Sequence, residues 1–81
     1  MKAHVYVSPK KTVLDPQGET IRAALQGLGF RDVKAVRQGK HFELQLAPEL
    51  NKEQAREQVE RIAKEVLTNQ VIEEFSYRLE E

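Results

Sequence analysis

The stretch Val13-Leu14-Asp15-Pro16-Gln17-Gly18 marks the point at which the chain leaves its first strand and enters its first helix. Asp15 can accept hydrogen bonds from the backbone N–H groups of a helix start, and Pro16 suits the first helical position, where its missing N–H costs nothing. Gly18 has no side chain, so another backbone or a partner surface can approach this corner. Asp-Pro-x-Gly is also a common signal for a simple turn and helix start.

The composition limits the kinds of function. The chain has 81 residues, the size of one domain (1–81), and no cysteine, which excludes disulfides and thiolate metal sites and fits a reducing cytoplasm. Its 13 basic and 13 acidic residues cancel, so there is no electrostatic reason to bind nucleic acid, and no apolar run could span a membrane. Because so small a domain buries only about 60% of its surface on folding, we expect either good packing or association to add stability.

Residues 2–8 alternate between apolar and polar side chains, which is typical of a strand with one buried face. Ala3, Val5 and Val7 point to one side of this strand. Tyr6 points to the other side, where a large aromatic side chain can cover a sheet edge or meet another subunit. Tyr6 is therefore a candidate partner contact.

Helical periodicity predicts two amphipathic helices. The first covers residues 16 to about 28, and Gly29 can take the left-handed position that ends it. The second follows Asn51, an N-cap that Gln54 can complete as a capping box, and extends to about residue 68. The predicted buried stripes are Ile21, Ala24, Leu25 and Leu28 in the first helix, and Ala55, Val59, Ile62, Ala63, Val66 and Leu67 in the second.

Residues 33–47 are extended around Gly39, and two arrangements fit them. The position of Val36 favours one long strand with a bulge at Gly39, whereas that of Ala35 favours a hairpin turning at Gln38-Gly39. The sequence leaves both arrangements open.

The last strand is predicted over residues 70–79. It places Val71, Phe75, Tyr77 and Leu79 on one face. The order strand, helix, long strand or hairpin, helix, strand predicts an α+β two-layer sandwich, with an antiparallel sheet and both helices on one face. The other face and the edges would be open, so we expect a dimer or a larger assembly.

The residues that could carry catalysis or hold a metal are few and do not converge. Ser8 and Ser76 are the only serines, and neither lies in a nucleophile elbow. His4 and His41 occupy solvent-type strand positions without a second ligand at metal spacing. Gly39-Lys40 lacks the preceding glycines of a phosphate loop. The residues by themselves predict an interaction module with no catalytic site, metal or cofactor of its own.

Two cations lie on either side of Gly39. A bend there would project Arg37 and Lys40, and Arg37 could offer its planar fork to a carboxylate or carbonyl of a partner. Glu43 has the other parity in a strand, so it need not neutralise Lys40. An ordinary solvated bend accounts for the same residues.

Three stretches together resemble a known family. They are VYVSPK with VLDPQG (residues 5–18), VRQGK with FEL (36–44) and LTNQVIEEF (67–75). Their order and spacing, and the length of the chain, are similar to PurS, the small subunit of phosphoribosylformylglycinamidine synthase (formylglycinamide ribonucleotide amidotransferase) in purine biosynthesis.

The resemblance implies a non-catalytic subunit that self-associates as a dimer or dimer of dimers and holds a glutaminase subunit against a large ATP-dependent synthetase subunit. The assembly would use glutamine, ATP and Mg²⁺ to convert formylglycinamide ribonucleotide to formylglycinamidine ribonucleotide. The implied fold is a small α+β unit related to the ferredoxin-like fold. The candidate partner-interface residues are Tyr6, Asp15, Pro16, Gln17, Gly18, Arg37, Gly39, Lys40 and Glu43.

Two other functions remain compatible with the residues. The first is a ferredoxin-like regulatory module that binds a small metabolite. The second is a free-standing enzyme of the same fold class, which would need a convergent titratable pair that the sequence does not offer.

Overall fold

Three strands and two helices form the fold in the computed structural model, which describes residues 1–81. The elements are β1 (Lys2–Pro9), α1 (Pro16–Gly27), β2 (Lys40–Gln45), α2 (Lys52–Ile62), a π-helical turn (Ala63–Leu67) that continues α2, and β3 (Glu73–Glu80). The strand order is β2-β1-β3, and both neighbours run antiparallel to β1. The predicted α+β class and antiparallel sheet are confirmed. Neither helix has the length and apolar character needed to cross a bilayer.

The core lies on one face of the central strand. Because β1 is paired on both sides, the side chains of Ala3, Val5 and Val7 are almost completely buried beneath α2. Val59 and Ala63 complete the same cluster from the helical layer. Seven half-buried residues pack around it, namely Phe42, Leu44, Leu46, Leu67, Phe75, Tyr77 and Leu79.

The start of α2 is fixed by the predicted capping box. The Asn51 side chain accepts from the backbone N–H of Gln54 at 2.8 Å, and the Gln54 side chain accepts from the backbone N–H of Asn51 at 3.2 Å. Two otherwise unpaired backbone donors are thereby satisfied, which fixes where the helix begins.

The end of α2 differs from the sequence prediction. The last turn, Ala63–Leu67, is π-helical, and its wider winding changes which side chains face the sheet. Val66, predicted to be buried, is 75% exposed, whereas Thr68 is buried. The prediction for Val66 is wrong because it assumed an unbroken period of 3.6 residues.

The start of β3 is also later than predicted. The backbone carbonyl of Asn69 accepts from the N–H groups of Ile72 and Glu73 at 3.1 and 2.7 Å, which closes a turn where a strand was expected. Val71 lies in this turn and is 80% exposed. Its predicted place on the apolar face of β3 is therefore wrong.

Helix α1 does not cover the sheet. None of its residues belongs to the core or packs against it, so only α2 forms the helical layer that was predicted for both helices. Its predicted C-terminal cap is confirmed: Gly29 has φ 97°, and the Phe30 N–H donates to the Leu25 carbonyl at 3.0 Å. The chain is elongated and measures 51 × 26 × 14 Å.

Residues 33–39 form neither a long strand nor a hairpin. They have no regular secondary structure and no sheet pairing, and β2 begins only at Lys40. Gly39 allows a close approach at this entry, because a Cβ there would lie 2.5 Å from the carbonyl oxygen of Val7. Both interpretations of the sequence were wrong, because the Gln38 N–H bonds to Asp15, and the side chain of Arg37 bonds to Lys10, instead of the segment pairing with a strand.

Candidate functional site

Asp15 joins the start of α1 to the segment before β2. Its Oδ1 accepts from the Gly18 N–H at 3.1 Å, which is the predicted N-cap, and its Oδ2 accepts from the Gln38 N–H at 2.8 Å. The second bond spans 23 positions of sequence, and nothing in the local sequence signals it. The Gln38 N–H, and next the Gly18 N–H, hold the pKa of the Asp15 carboxyl below its ordinary value.

The space beside Gly18 is filled by the chain's own backbone. A Cβ at this position would overlap the carbonyl oxygen of Val36, and Gly18 is buried although it lies in the first turn of α1. The close approach predicted for Gly18 is confirmed, and the segment that makes it belongs to this chain. Pro16 and Gln17 are exposed on the outside of the same corner, where they line a shallow depression with Gln38.

The two predicted cations are exposed but already have partners within the chain. The Arg37 guanidinium donates to the backbone carbonyl of Lys10, which anchors the segment before β2 to the loop after β1. Lys40 lies 3.7 Å from a carboxylate oxygen of Glu73 across the sheet, with 60% of its side chain exposed. Glu43 pairs instead with Lys2 at 3.3 Å. The strand parity of Glu43 predicted that it need not neutralise Lys40.

The predicted interface residues fall into two groups. The first group lies at the corner where α1 begins and comprises Asp15, Pro16, Gln17 and Gly18. Arg37 belongs to residues 33–39, the segment that meets this corner. Gly39 and Lys40 continue this segment into β2.

The second group lies on the open face of the sheet, the face turned away from α2. Tyr6 and Glu43 share this face, and the Tyr6 ring is 39% exposed. Tyr6 stacks on His41 with the ring centroids 4.9 Å apart and the planes 15° from parallel. The position predicted for Tyr6 is therefore confirmed, and its ring is held by a neighbour on β2.

A row of hydrogen bonds crosses this face, and no pattern in the sequence predicts it. His4 Nδ1 lies 2.9 Å from His41 Nε2, and His4 Nε2 lies 2.5 Å from Glu80 Oε2. His4 is only 7% exposed, so its predicted solvent position is wrong. Each of the three side chains comes from a different strand, so only the pairing register places them together.

An apolar surface of α1 is left uncovered. We call Ile21, Ala24, Leu25 and Leu28 the α1 stripe. Within it, Ile21 is 39% and Leu28 is 75% exposed, and Phe30 beyond the helix is 57% exposed. An amphipathic helix whose apolar side meets no core is a typical site for association with another chain.

Comparisons with known proteins agree over the whole chain. The family described as PurS, phosphoribosylformylglycinamidine (FGAM) synthase, matches residues 2–81. The phosphoribosylformylglycinamidine synthase subunit PurS of Methanocaldococcus jannaschii is 40% identical over 79 residues, which is 98% of this chain and 94% of that protein. The Bacillus subtilis subunit is 39% identical over 80 residues, which is 99% of this chain and 93% of the relative.

Solved structures agree with the sequences. A crystal structure of Bacillus subtilis PurS superposes with a TM-score of 0.84 at 39% identity and covers 99% of this chain and 98% of its own. A chain in the structure of PurLQS from Thermotoga maritima superposes with a TM-score of 0.75 at 35% identity, covering 95% and 93%. These matches show that the chain belongs to the PurS family of phosphoribosylformylglycinamidine synthase.

Proposed function

We propose that this chain is the non-catalytic small subunit of a phosphoribosylformylglycinamidine synthase in the cytoplasm. It would bridge a glutaminase subunit and a large ATP- and Mg²⁺-dependent synthetase subunit, which convert formylglycinamide ribonucleotide, glutamine and ATP to formylglycinamidine ribonucleotide. The observation that carries this proposal is the similarity over nearly the full length to a chain of the PurLQS structure of Thermotoga maritima.

The arrangement of polar groups supports a binding role. Both ring nitrogens of His4 are engaged in hydrogen bonds, and the Asp15 carboxylate is bonded through both oxygens to backbone N–H groups. These bonds link separate strands and loops of the chain, so both groups have a structural role. The largest depression is open and lined mainly by exposed charged side chains of α2 and its π-helical turn.

The exposed surfaces support association with more than one partner. The α1 stripe offers an apolar face, and β2 and β3 leave two unpaired edges. We assign self-association, as a dimer or dimer of dimers, to the α1 stripe. We assign contacts with the larger subunits to the corner around Pro16 and Gln17, to Lys40, and to the open face around Tyr6.

Reconstitution tests the proposal directly. The glutaminase and synthetase subunits are assayed for glutamine-dependent amidine formation with and without this chain, and ammonium replaces glutamine in a parallel assay. We expect glutamine-dependent turnover to require the chain, and ammonium-dependent turnover by the synthetase subunit to persist without it. Full glutamine-dependent turnover in its absence would contradict the bridging role.

A further inference from the structure

Three side chains form a hydrogen-bonded row across the open face of the sheet. His41 on β2 contacts His4 on β1 at 2.9 Å, and His4 contacts Glu80 on β3 at 2.5 Å. The row therefore links both edge strands to the central one. Tyr6 stacks on His41, so the orientation of the exposed aromatic surface depends on the same row.

The chemistry of the groups fixes how many protons the row can hold. The Glu80 carboxylate only accepts, so His4 Nε2 must carry a hydrogen. When both imidazoles are neutral, His4 Nδ1 is bare and accepts from the N–H at His41 Nε2. One added proton is tolerated, because protonated His4 can donate from Nδ1 to a bare His41 Nε2 while the Glu80 carboxylate faces its charge.

A second proton cannot be accommodated in the same geometry. With both rings protonated, two N–H donors would face each other across 2.9 Å, and two positive charges would lie side by side in rings whose centroids are 5.1 Å apart. The contact between the histidines must then open. Histidine is the side chain whose charge ordinarily changes between about pH 5 and 8.

The charged neighbours on this face come from all three strands. Lys2 and Tyr6 flank His4 on β1. In the pairing register, Glu43 of β2 and Arg78 of β3 lie opposite His4. Glu43 favours proton binding, whereas Lys2 and Arg78 oppose it, and Lys2 is itself paired with Glu43 at 3.3 Å. Helix α2 contributes no charge here, because it packs on the opposite face.

We propose that the row His41–His4–Glu80 is a proton-sensitive latch. With no more than one added proton it holds the edge strands and the Tyr6–His41 surface in place, and on binding a second proton it releases them. The latch is a property of the single chain and is independent of any partner.

The test uses the full chain, whose two histidines give two sets of ring signals in NMR. At pH 8 we expect both rings to carry hydrogen on Nε2. On acidification we expect two separated steps seen at both rings, with the Tyr6 ring signals shifting only at the second. Amide exchange in β2 after that step should be about fivefold faster than in the His41→Gln variant at the same pH, as expected for the loss of one hydrogen bond.

Three variants separate the latch from general acid effects. His41→Gln keeps a hydrogen-bonding group but cannot be protonated, so it should abolish the second step. Glu80→Gln removes the carboxylate, so the first step should move to lower pH. Glu74→Gln is the matched control, because Glu74 lies on the same strand and face and is exposed. Independent single-step titrations of the two histidines, a different tautomer at pH 8, or equal effects of Glu80→Gln and Glu74→Gln would each overturn the proposal.

Discussion

Asp15 and Gly18 act as a pair at the scale of single residues. The carboxylate bonds to N–H groups from two parts of the chain, and the missing side chain of Gly18 lets the Val36 carbonyl approach close enough for this to happen. The sequence predicted the local half of this arrangement, namely the cap and a close approach. It could not predict the distant half, since Gln38 and Val36 carry no local sign that they meet the corner.

Substitution of Gly18 tests this close approach. Gly18→Ala should destabilise the fold by about 1–3 kcal/mol, because the added methyl group meets rigid backbone at Val36. Gly27→Ala, in the same helix, has open space and should instead stabilise by up to about 1 kcal/mol. Denaturant unfolding of both variants measures the difference. An unchanged or raised stability of Gly18→Ala would contradict the contact.

The charge of Asp15 should make the stability of the fold depend on pH. Its pKa is lowered in the folded state, chiefly by the Gln38 N–H, so the charged form is the one that folding favours. Its contribution is complete above the ordinary aspartate pKa of about 4 and is lost as pH falls through the lower folded value.

The Asp15→Asn variant should therefore have a smaller loss of melting temperature on acidification than the wild type, from a lower starting value. Thermal unfolding followed from pH 7 to pH 2 gives both curves. Asp32→Asn serves as the control, because Asp32 is exposed. If Asp15→Asn and Asp32→Asn gave the same acid dependence, the bonds at the corner would have no role in it.

At the scale of elements, the two helices differ in what their apolar sides contact. Both have apolar stripes at the right spacing, yet only α2 covers the sheet. Periodicity indicates that a helix has an apolar side, but it does not indicate which surface covers that side. The π-helical turn illustrates the same limit, because one wide turn was enough to expose Val66 and to bury Thr68.

The α1 stripe should be needed for self-association. Leu28→Ser should weaken the oligomer, while the helical content of the chain stays close to that of the wild type because Leu28 is already 75% exposed. Val66→Ser is the matched control, since Val66 has the same exposure but lies at the end of α2. Sedimentation velocity over a concentration series measures both. Equal association of the two variants would place the interface elsewhere.

The whole molecule is more extended than its length requires. Its radius of gyration is 16.1 Å, whereas a compact chain of this length would have about 12 Å. Helix α1 lies outside the core and is anchored at its start through the Asp15–Gln38 bond and near its end by Gln26, whose side chain donates to the Val33 carbonyl at 2.7 Å. An extended chain exposes more surface to partners than a compact chain of the same length.

Lys40 tests the proposed contact with the large subunit. Lys40→Ala should leave the melting temperature nearly unchanged, because the Lys40 side chain is 60% exposed and its ion pair with Glu73 is long, at 3.7 Å, so the pair contributes at most about 1 kcal/mol. It should weaken assembly with the larger subunits, most strongly at low salt. Lys34→Ala removes an exposed cation from the same segment and should have no effect. Wild-type assembly of Lys40→Ala at every salt concentration would remove Lys40 from the interface.

The sequence by itself determined the local structure. Alternation in β1, the Asn51–Gln54 box, the Asp15 cap and the left-handed Gly29 are set by residues close to one another, so each could be predicted from its own neighbourhood. The family could likewise be recognised from motifs and their spacing, and the comparisons confirm it.

Only the tertiary structure decided which distant groups meet. Register placed His4 between His41 and Glu80, and the path of residues 33–39 gave Asp15 its second partner and removed the expected hairpin. These contacts join segments 23 to 76 positions apart, and their formation depends on the packing of the whole chain. The physical reason is that local preferences act through neighbouring dihedrals and side-chain spacing, whereas long-range contacts are selected by the free energy of burying the core and pairing every backbone group.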